Sequence, residues 1–279
     1  MENKQRRWWV SGLFSLVEPG LGQIYNGQAR KGIIIMLLPL LLLPGLLLCL
    51  NSSKALIVCA LLAIAYYIIV VGDAVSNARR LGPEYQLKKY NKIAVYIGVI
   101  VLASLINLTL KGWIRSNYVQ AFKIPAASMV PTLLIGDHIL VDRHMAARNP
   151  SRGDLIVFEY PEDPSKDFIK RVVAVAGDTV EIRNKVLFVN GKEVQEPYIS
   201  HKEAVIIPAS QNPRDNFGPQ VISNNSYFVL GDNRDRSFDS RFWGSVTKDK
   251  VKGTVKNLYW SWDKEKFSVR WDRIGMKVM

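Results

Sequence analysis

A lysine on the apolar face of a predicted strand is the most chemically suggestive feature of this 279-residue sequence. In FIKRVVAV, Lys170 alternates with Phe168, Val172 and Ala174, so an extended chain places all four on one face. Lysine is rarely buried without reason. An ordinary lysine, with a pKa near 10.4, is only about 0.1% neutral at pH 7.5 and therefore a poor base. Burial can bring that value to about 8, at a cost of roughly 3 kcal/mol of disfavoured charge. A base of that kind suits a serine nucleophile. A histidine base has less support. There is no Gly-x-Ser-x-Gly elbow, and His138, His144 and His201 are scattered, the last two in polar loop sequence. The lysine could also pack only its stem while the amine reaches water. Position alone leaves both readings open.

The elements that would hold such a lysine read as β. The runs 137–143 (DHILVDR), 154–160 (DLIVFEY) and 168–177 (FIKRVVAVAG) are β-branched, partly alternating, and bounded by Gly, Pro and Asp. Residues 179–194 look like a hairpin with a further turn at Asn190-Gly191. Residues 226–232 and 251–262 are further strands. The polar stretch 197–225, with Pro208, Pro213 and Pro219, reads as a long excursion over the surface. An all-β domain of antiparallel sheets over 111–279 is the expected fold class for this half.

The amino-terminal part belongs to a different regime. Residues 33–50 form an uncharged run of about 27 Å as a helix, enough for a bilayer core. Pro39 and Pro44 are expected to kink it. Further runs follow at 55–72 and 93–110, so three transmembrane helices are predicted over 33–110. Residues 8–17 are too short to span and suit the interface, anchored by Trp8 and Trp9. Cys49 and Cys59 lie inside apolar runs and read as small hydrophobic residues. Neither a disulfide framework nor a metal-ligand spacing is present, so no metal or cofactor is expected. The glycine-rich 19–32 (PGLGQIYNGQARKG) lacks the preceding strand and the Lys-Ser/Thr ending of a phosphate cradle. It reads as a turn and interface element.

The formal charge of +13 raises the question of nucleic acid, but its distribution points elsewhere. Residues 1–32 and 73–92 each carry a net +3, and with Lys54 they hold +7 of the total beside apolar runs. Basic flanks of this kind set membrane orientation. No zinc finger, aromatic nucleic-acid box or basic helix accompanies the charge, and no nucleic-acid partner is expected. The amino terminus (1–32) and the 73–92 loop should face the cytoplasm. Residues 111–279 then lie on the exoplasmic side of a multi-pass protein of the cytoplasmic membrane.

Three segments of the second half resemble the signature boxes of type I signal peptidases, membrane serine proteases with a Ser/Lys dyad. They are 124–143 (IPAASMVPTLLIGDHILVDR), 152–180 (RGDLIVFEYPEDPSKDFIKRVVAVAGDTV) and 231–244 (GDNRDRSFDSRFWG). They occur in the family's order, and DRIG at 272–275 is also similar. The resemblance implies Ser128 as nucleophile, Lys170 as its base, and Ser237 bonded to the lysine amine. It implies Asp239 and Arg241 as a supporting ion pair, and Gly231 and Asp232 as turn formers near the site. Arg236 stands where Asn is common and should point to solvent. Phe122, Ile124, Pro125, Met129, Val157 and Ile169 match positions lining two shallow pockets for small side chains, beside Ala126. Some members carry Ser or Thr at the Ala126 position, where the hydroxyl helps bind the oxyanion; here the Ser128 N–H would be the main donor. The implied substrates are the signal peptides of exported pre-proteins, added as a strand to the site edge. Trp260 and Trp262 could reach the outer leaflet or fill a core. Another Ser/Lys membrane peptidase, of pilus or conjugation systems, and a non-catalytic peptide-binding protein are the alternatives.

Overall fold

A computed structural model describes residues 7–48, 53–81, 85, 88–144 and 149–278. The chain divides into two compact units, Met1–Ile114 and Arg115–Met279.

The first unit is helical: α1 (Trp8–Val17), α2 (Leu21–Tyr25), α3 (Ala29–Leu48), α4 (Ser53–Arg80) and α5, which begins at Ile93 and runs to Asn117. Among the described residues, two helical stretches are long and apolar enough to cross a membrane, Val58–Arg80 and Ile93–Asn117. They expose Leu61, Ile68, Leu105 and Leu108, side chains that lipid accepts and water does not. The end of the first apolar run, with Cys49, lies outside the described residues; α3 continues helical through both Pro39 and Pro44. Cys59 sits in α4.

The glycine-rich segment is more than a turn. Its α2 is buried, and its polar side chains bond to α4: Gln23 donates to the Val70 carbonyl (2.9 Å) and to Asp73 (3.0 Å), and Asn26 to the Ala74 carbonyl (2.7 Å). Lys31 pairs with Asp73 at 2.6 Å. Gly22 lies where α1, α2 and α4 converge, and a Cβ there would overlap Ser15 Oγ and the Ser11 carbonyl. The spacing thus answers to helix packing. Buried amides inside a helical unit must find partners, and these find main-chain carbonyls.

The second unit is built on β1 (Val119–Lys123), β2 (Asp137–Asp142), β3 (Leu155–Tyr160), β4 (Asp163–Val175), β5 (Thr179–Arg183), β6 (Val186–Val189), β7 (Lys192–Glu193), β8 (Phe217–Val221), β9 (Ser226–Leu230), β10 (Val246–Thr247), β11 (Val251–Asp263) and β12 (Ser268–Val269). One sheet runs β1-β2-β11-β3-β4-β9-β10, with β12 on β11; the other runs β7-β6-β5-β8. Every pairing is antiparallel. Asn184, Lys185, Asn190 and Gly191 all have positive φ, the backbone that tight two-residue hairpin loops demand. The six predicted strand regions all contain strand. The sequence reading missed β1, the two-residue β10 and β12, and β8, which sits inside the 197–225 excursion and pairs with β5. All of β3 except half-buried Glu159 is buried, which reflects its central place, with β11 on one side and β4 on the other.

Candidate active site

Lys170 lies in the middle of β4, opposite Ile156 of β3, and only 4% of it is exposed. Its Nζ donates a 2.8 Å hydrogen bond to Ser128 Oγ, 42 residues earlier, in the turn between β1 and β2. Burial above all brings the lysine pKa down to about 8; Asp239 and Asp232 work against that shift and Arg241 adds to it. Between the two readings of Lys170 open from position, the structure selects the buried amine. The Ser128 N–H meets no acceptor among the described residues, which leaves it available to an incoming oxyanion.

The box 231–244 wraps the pair from β9 onward. Gly231 allows a close approach, because a Cβ there would run into Ser237 Oγ and the Ser128 carbonyl. Asp239 accepts from the Gly231 N–H (3.0 Å) and forms a bidentate pair with Arg241, both bonds 2.8 Å. Arg241 also donates to the carbonyls of Arg214 (2.7 Å) and Arg234 (2.8 Å). Burial pushes the Asp239 carboxyl up, but Arg241 and the Gly231 N–H outweigh it and hold the group below the usual carboxylate range. Asp239 also caps the short helix α6 (Ser240–Trp243). Arg236 is exposed.

Two expectations need correction. Ser237 is buried next to the dyad, but its Oγ makes no hydrogen bond, to the lysine amine or to any other described group. It is directed at Gly231, and the amine's bond goes to Ser128 instead. Asp232 does not act as a simple turn former. It is fully buried and takes a bidentate pair from Arg171, at 2.9 and 2.7 Å, while accepting the Thr132 hydroxyl of the nucleophile turn. Arg171 is 1% exposed and lies 3.8 Å over the Tyr198 ring.

Sequence reasoning missed Arg171 and Asn233. Alternation along β4 places Arg171 on the face opposite Lys170, and a second buried cation beside the first was the signal. Asn233 donates from its backbone to the Ser128 carbonyl (3.1 Å) and from Nδ2 to the Ala127 carbonyl (3.0 Å), clamping both sides of the nucleophile. It stands inside the 231–244 box, but its partner Ala127 lies 106 residues away in the sequence.

The pocket candidates fall into two groups. Ile124, Met129 and Val157 are buried in one apolar cluster, against which half-buried Phe122 and Ile169 pack. Pro125 and Ala126 are exposed in the turn before Ser128. The histidines stand elsewhere: His138 against the Tyr259 ring (5.9 Å), His201 at 3.3 Å from Asp235, and His144 exposed. Trp260 is 37% exposed, edge-on to Trp271, and Trp262 is half-buried.

The signal peptidase, peptidase S26, family profile matches residues 94–260. Signal peptidase I of Aquifex aeolicus is 35% identical over 222 residues, covering 61% of this chain and 84% of that protein. Signal peptidase I P of Bacillus subtilis subsp. natto is also 35% identical, covering 63% and 93%. Among solved structures, a signal peptidase I from Enterococcus faecalis is 32% identical and covers 38% of this chain and 96% of its own, with a TM-score of 0.31. A profile that spans more than half of the sequence, including Ser128, Lys170 and the whole 231–244 box, decides the matter: the chain belongs to the signal peptidase family, peptidase S26.

Proposed function

We propose that this chain is a signal peptidase I: a serine endopeptidase that removes signal peptides from exported pre-proteins by a Ser128/Lys170 dyad. The observation that carries the dyad is the 2.8 Å hydrogen bond between a buried lysine amine and the Ser128 hydroxyl. In the neutral form of Lys170, the amine lone pair accepts the hydroxyl proton as Oγ attacks the scissile carbonyl carbon. The Ser128 N–H donates to the oxygen that becomes negative. Collapse of the intermediate breaks the C–N bond, and Lys170 returns its proton to the leaving amine. The signal peptide stays as an ester on Ser128. Water, deprotonated by Lys170, then attacks that ester and restores the enzyme.

Supporting residues act through this pair. Asn233, Gly231 and the Asp232–Arg171 pair hold the nucleophile turn against β4 and β9. Asp239 and Arg241 set the field around the amine, and Ser237 fills the space beside it. Phe122, Ile124, Met129, Val157 and Ile169 would line the small-residue pockets, with Pro125 and Ala126 at their rim. In this reading residues 1–32 are cytoplasmic or interfacial, 33–110 form three membrane spans, and 111–279 are the exoplasmic catalytic domain. The charge distribution beside the apolar runs supports that orientation.

Cleavage of purified precursor proteins, with the cut sites mapped, tests the reading. Wild-type chain is expected to cut after small residues at the signal-peptide end. Ser128→Ala and Lys170→Ala should each abolish cleavage in folded protein, and the double variant should be no worse than either. Substantial cleavage by Lys170→Ala would remove Lys170 as the base.

A further inference from the structure

Helix α1 is packed the reverse of a helix that faces water. Its small and polar residues Ser11, Gly12 and Ser15 are buried, while Leu13, Leu16 and Val17 are each more than half exposed. On a soluble core the apolar side would be the buried one. Trp9, Leu13 and Leu16 follow at i, i+4 and i+7, so one exposed apolar stripe runs along the helix.

The contacts of α1 fix its level along α4. The Arg79 guanidinium lies 4.6 Å over the Trp8 ring, Ser11 Oγ donates to the Ala74 carbonyl at 3.1 Å, and a Cβ on Gly12 would crowd Val75. Helix α1 therefore runs antiparallel to the end of α4. It finishes beside Gln23, whose amide reaches the Val70 carbonyl. The chain then returns: Asn26 bonds to Ala74 and Gln28 to Asn77 before α3 begins. From Arg79 to Val70 is about 14 Å of helix, roughly half of a bilayer core. The buried Gln23 and Asn26 amides of this hairpin donate to main-chain carbonyls, the closure that membrane depth demands.

At the mouth of the hairpin the chemistry changes. Arg7, Arg79 and Arg80 are exposed there, with the Arg7 guanidinium 5.9 Å over the Trp9 ring. None of the three forms an ion pair among the described residues. Free cations and indole rings at the end of an apolar stripe suit the phosphate layer of a leaflet. We propose that the hairpin 8–28 enters the cytoplasmic leaflet beside α4, and that Arg7, Arg79 and Arg80 hold the headgroups of anionic phospholipids. Trp9, Leu13, Leu16 and Val17 then lie against acyl chains. Charge sets the class of lipid, because these cations favour a headgroup of net negative charge over a zwitterionic one. This assignment rests on the orientation of α4 proposed above, which a reporter fusion after Glu84 tests separately.

The test reads lipid retained on the full chain by native mass spectrometry, from micelles holding equal phosphatidylglycerol and phosphatidylcholine of matched acyl chains. Wild-type chain should retain phosphatidylglycerol in preference. Arg7→Gln with Arg79→Gln should lower that preference by about fivefold per cation removed. Arg7→Lys with Arg79→Lys keeps the charge and should keep the preference, and Lys111→Gln, at the far end of α5, should leave it unchanged. Equal retention of the two lipids by wild type overturns the headgroup site. So does an equal fall in the Lys111 variant, or in the lysine pair. For depth, a nitroxide on Leu16→Cys, in a chain also carrying Cys49→Ala and Cys59→Ala, should be relaxed more by oxygen than by a water-soluble nickel complex in nanodiscs. The reverse order overturns the insertion. Precursor cleavage is assayed apart from both measurements, so the peptidase reading stands or falls independently.

Discussion

Replacing Lys170 with methionine should stabilise the protein at neutral pH while abolishing its chemistry. The amine is 4% exposed, and burial holds its pKa at about 8 against an ordinary 10.5. That gap corresponds to about 3 kcal/mol. The sign follows from proton binding. Between about pH 8 and 10.5 the unfolded chain keeps the lysine proton and the folded chain does not, so stability rises with pH across that window. Below pH 8 both states are protonated and the full cost of a buried ammonium is present. Methionine has similar length and no charge, so Lys170→Met removes that cost but also loses the bond to Ser128 Oγ, worth about 1 kcal/mol. The expected net gain at pH 7 is about 2 kcal/mol. At pH 10 the charge cost falls below about 1 kcal/mol, and the variant should match or fall slightly behind wild type. Urea denaturation of both proteins in the same micelles, at pH 7 and pH 10, measures this, because groups common to both cancel in the difference. Equal effects at the two pH values, or a destabilised variant at pH 7, would refute the buried-amine account. In the wild-type enzyme the same pKa sets the acid limb: kcat/KM should rise with pH through about 8, with about a quarter of the lysine neutral at pH 7.5.

Reporter fusions after Ser52, Glu84 and Pro150 should read outside, inside and outside; an inside signal after Pro150 would reject the exoplasmic catalytic domain. Gly22→Ala should cost about 1–3 kcal/mol in thermal stability, since its Cβ has nowhere to go between α1 and α4. Gly72→Ala, in α4 with open space around it, is the matched control and should be neutral or slightly stabilising. Equal losses at both glycines would mean that packing of the 19–32 segment does not explain its spacing.

What could be read from the sequence was local in origin. Apolar runs long enough for a bilayer core, β-branched stretches between turn residues and a lysine in phase with Phe168, Val172 and Ala174 depend on neighbours a few positions away. The register of β4 needed nothing more to place Lys170 on the face it occupies. Resemblance supplied Ser128, the 231–244 box and the Asp239–Arg241 pair within it, but not the bonds that tie the box to the nucleophile turn. Asp232 meets Arg171 across 61 residues and Asn233 meets Ala127 across 106, because β4 lies between β3 and β9 and the nucleophile turn folds back onto them. Sheet order of that kind is settled by the packing of the whole unit, and no local pattern encodes it. The same holds for Ser237, whose hydroxyl turns to Gly231 and away from the amine, and for the lysine pKa, which is set by how completely the assembled structure excludes water from Nζ. Sequence placed a basic group where it could be buried; only the tertiary structure decided that it is buried, and what it touches there.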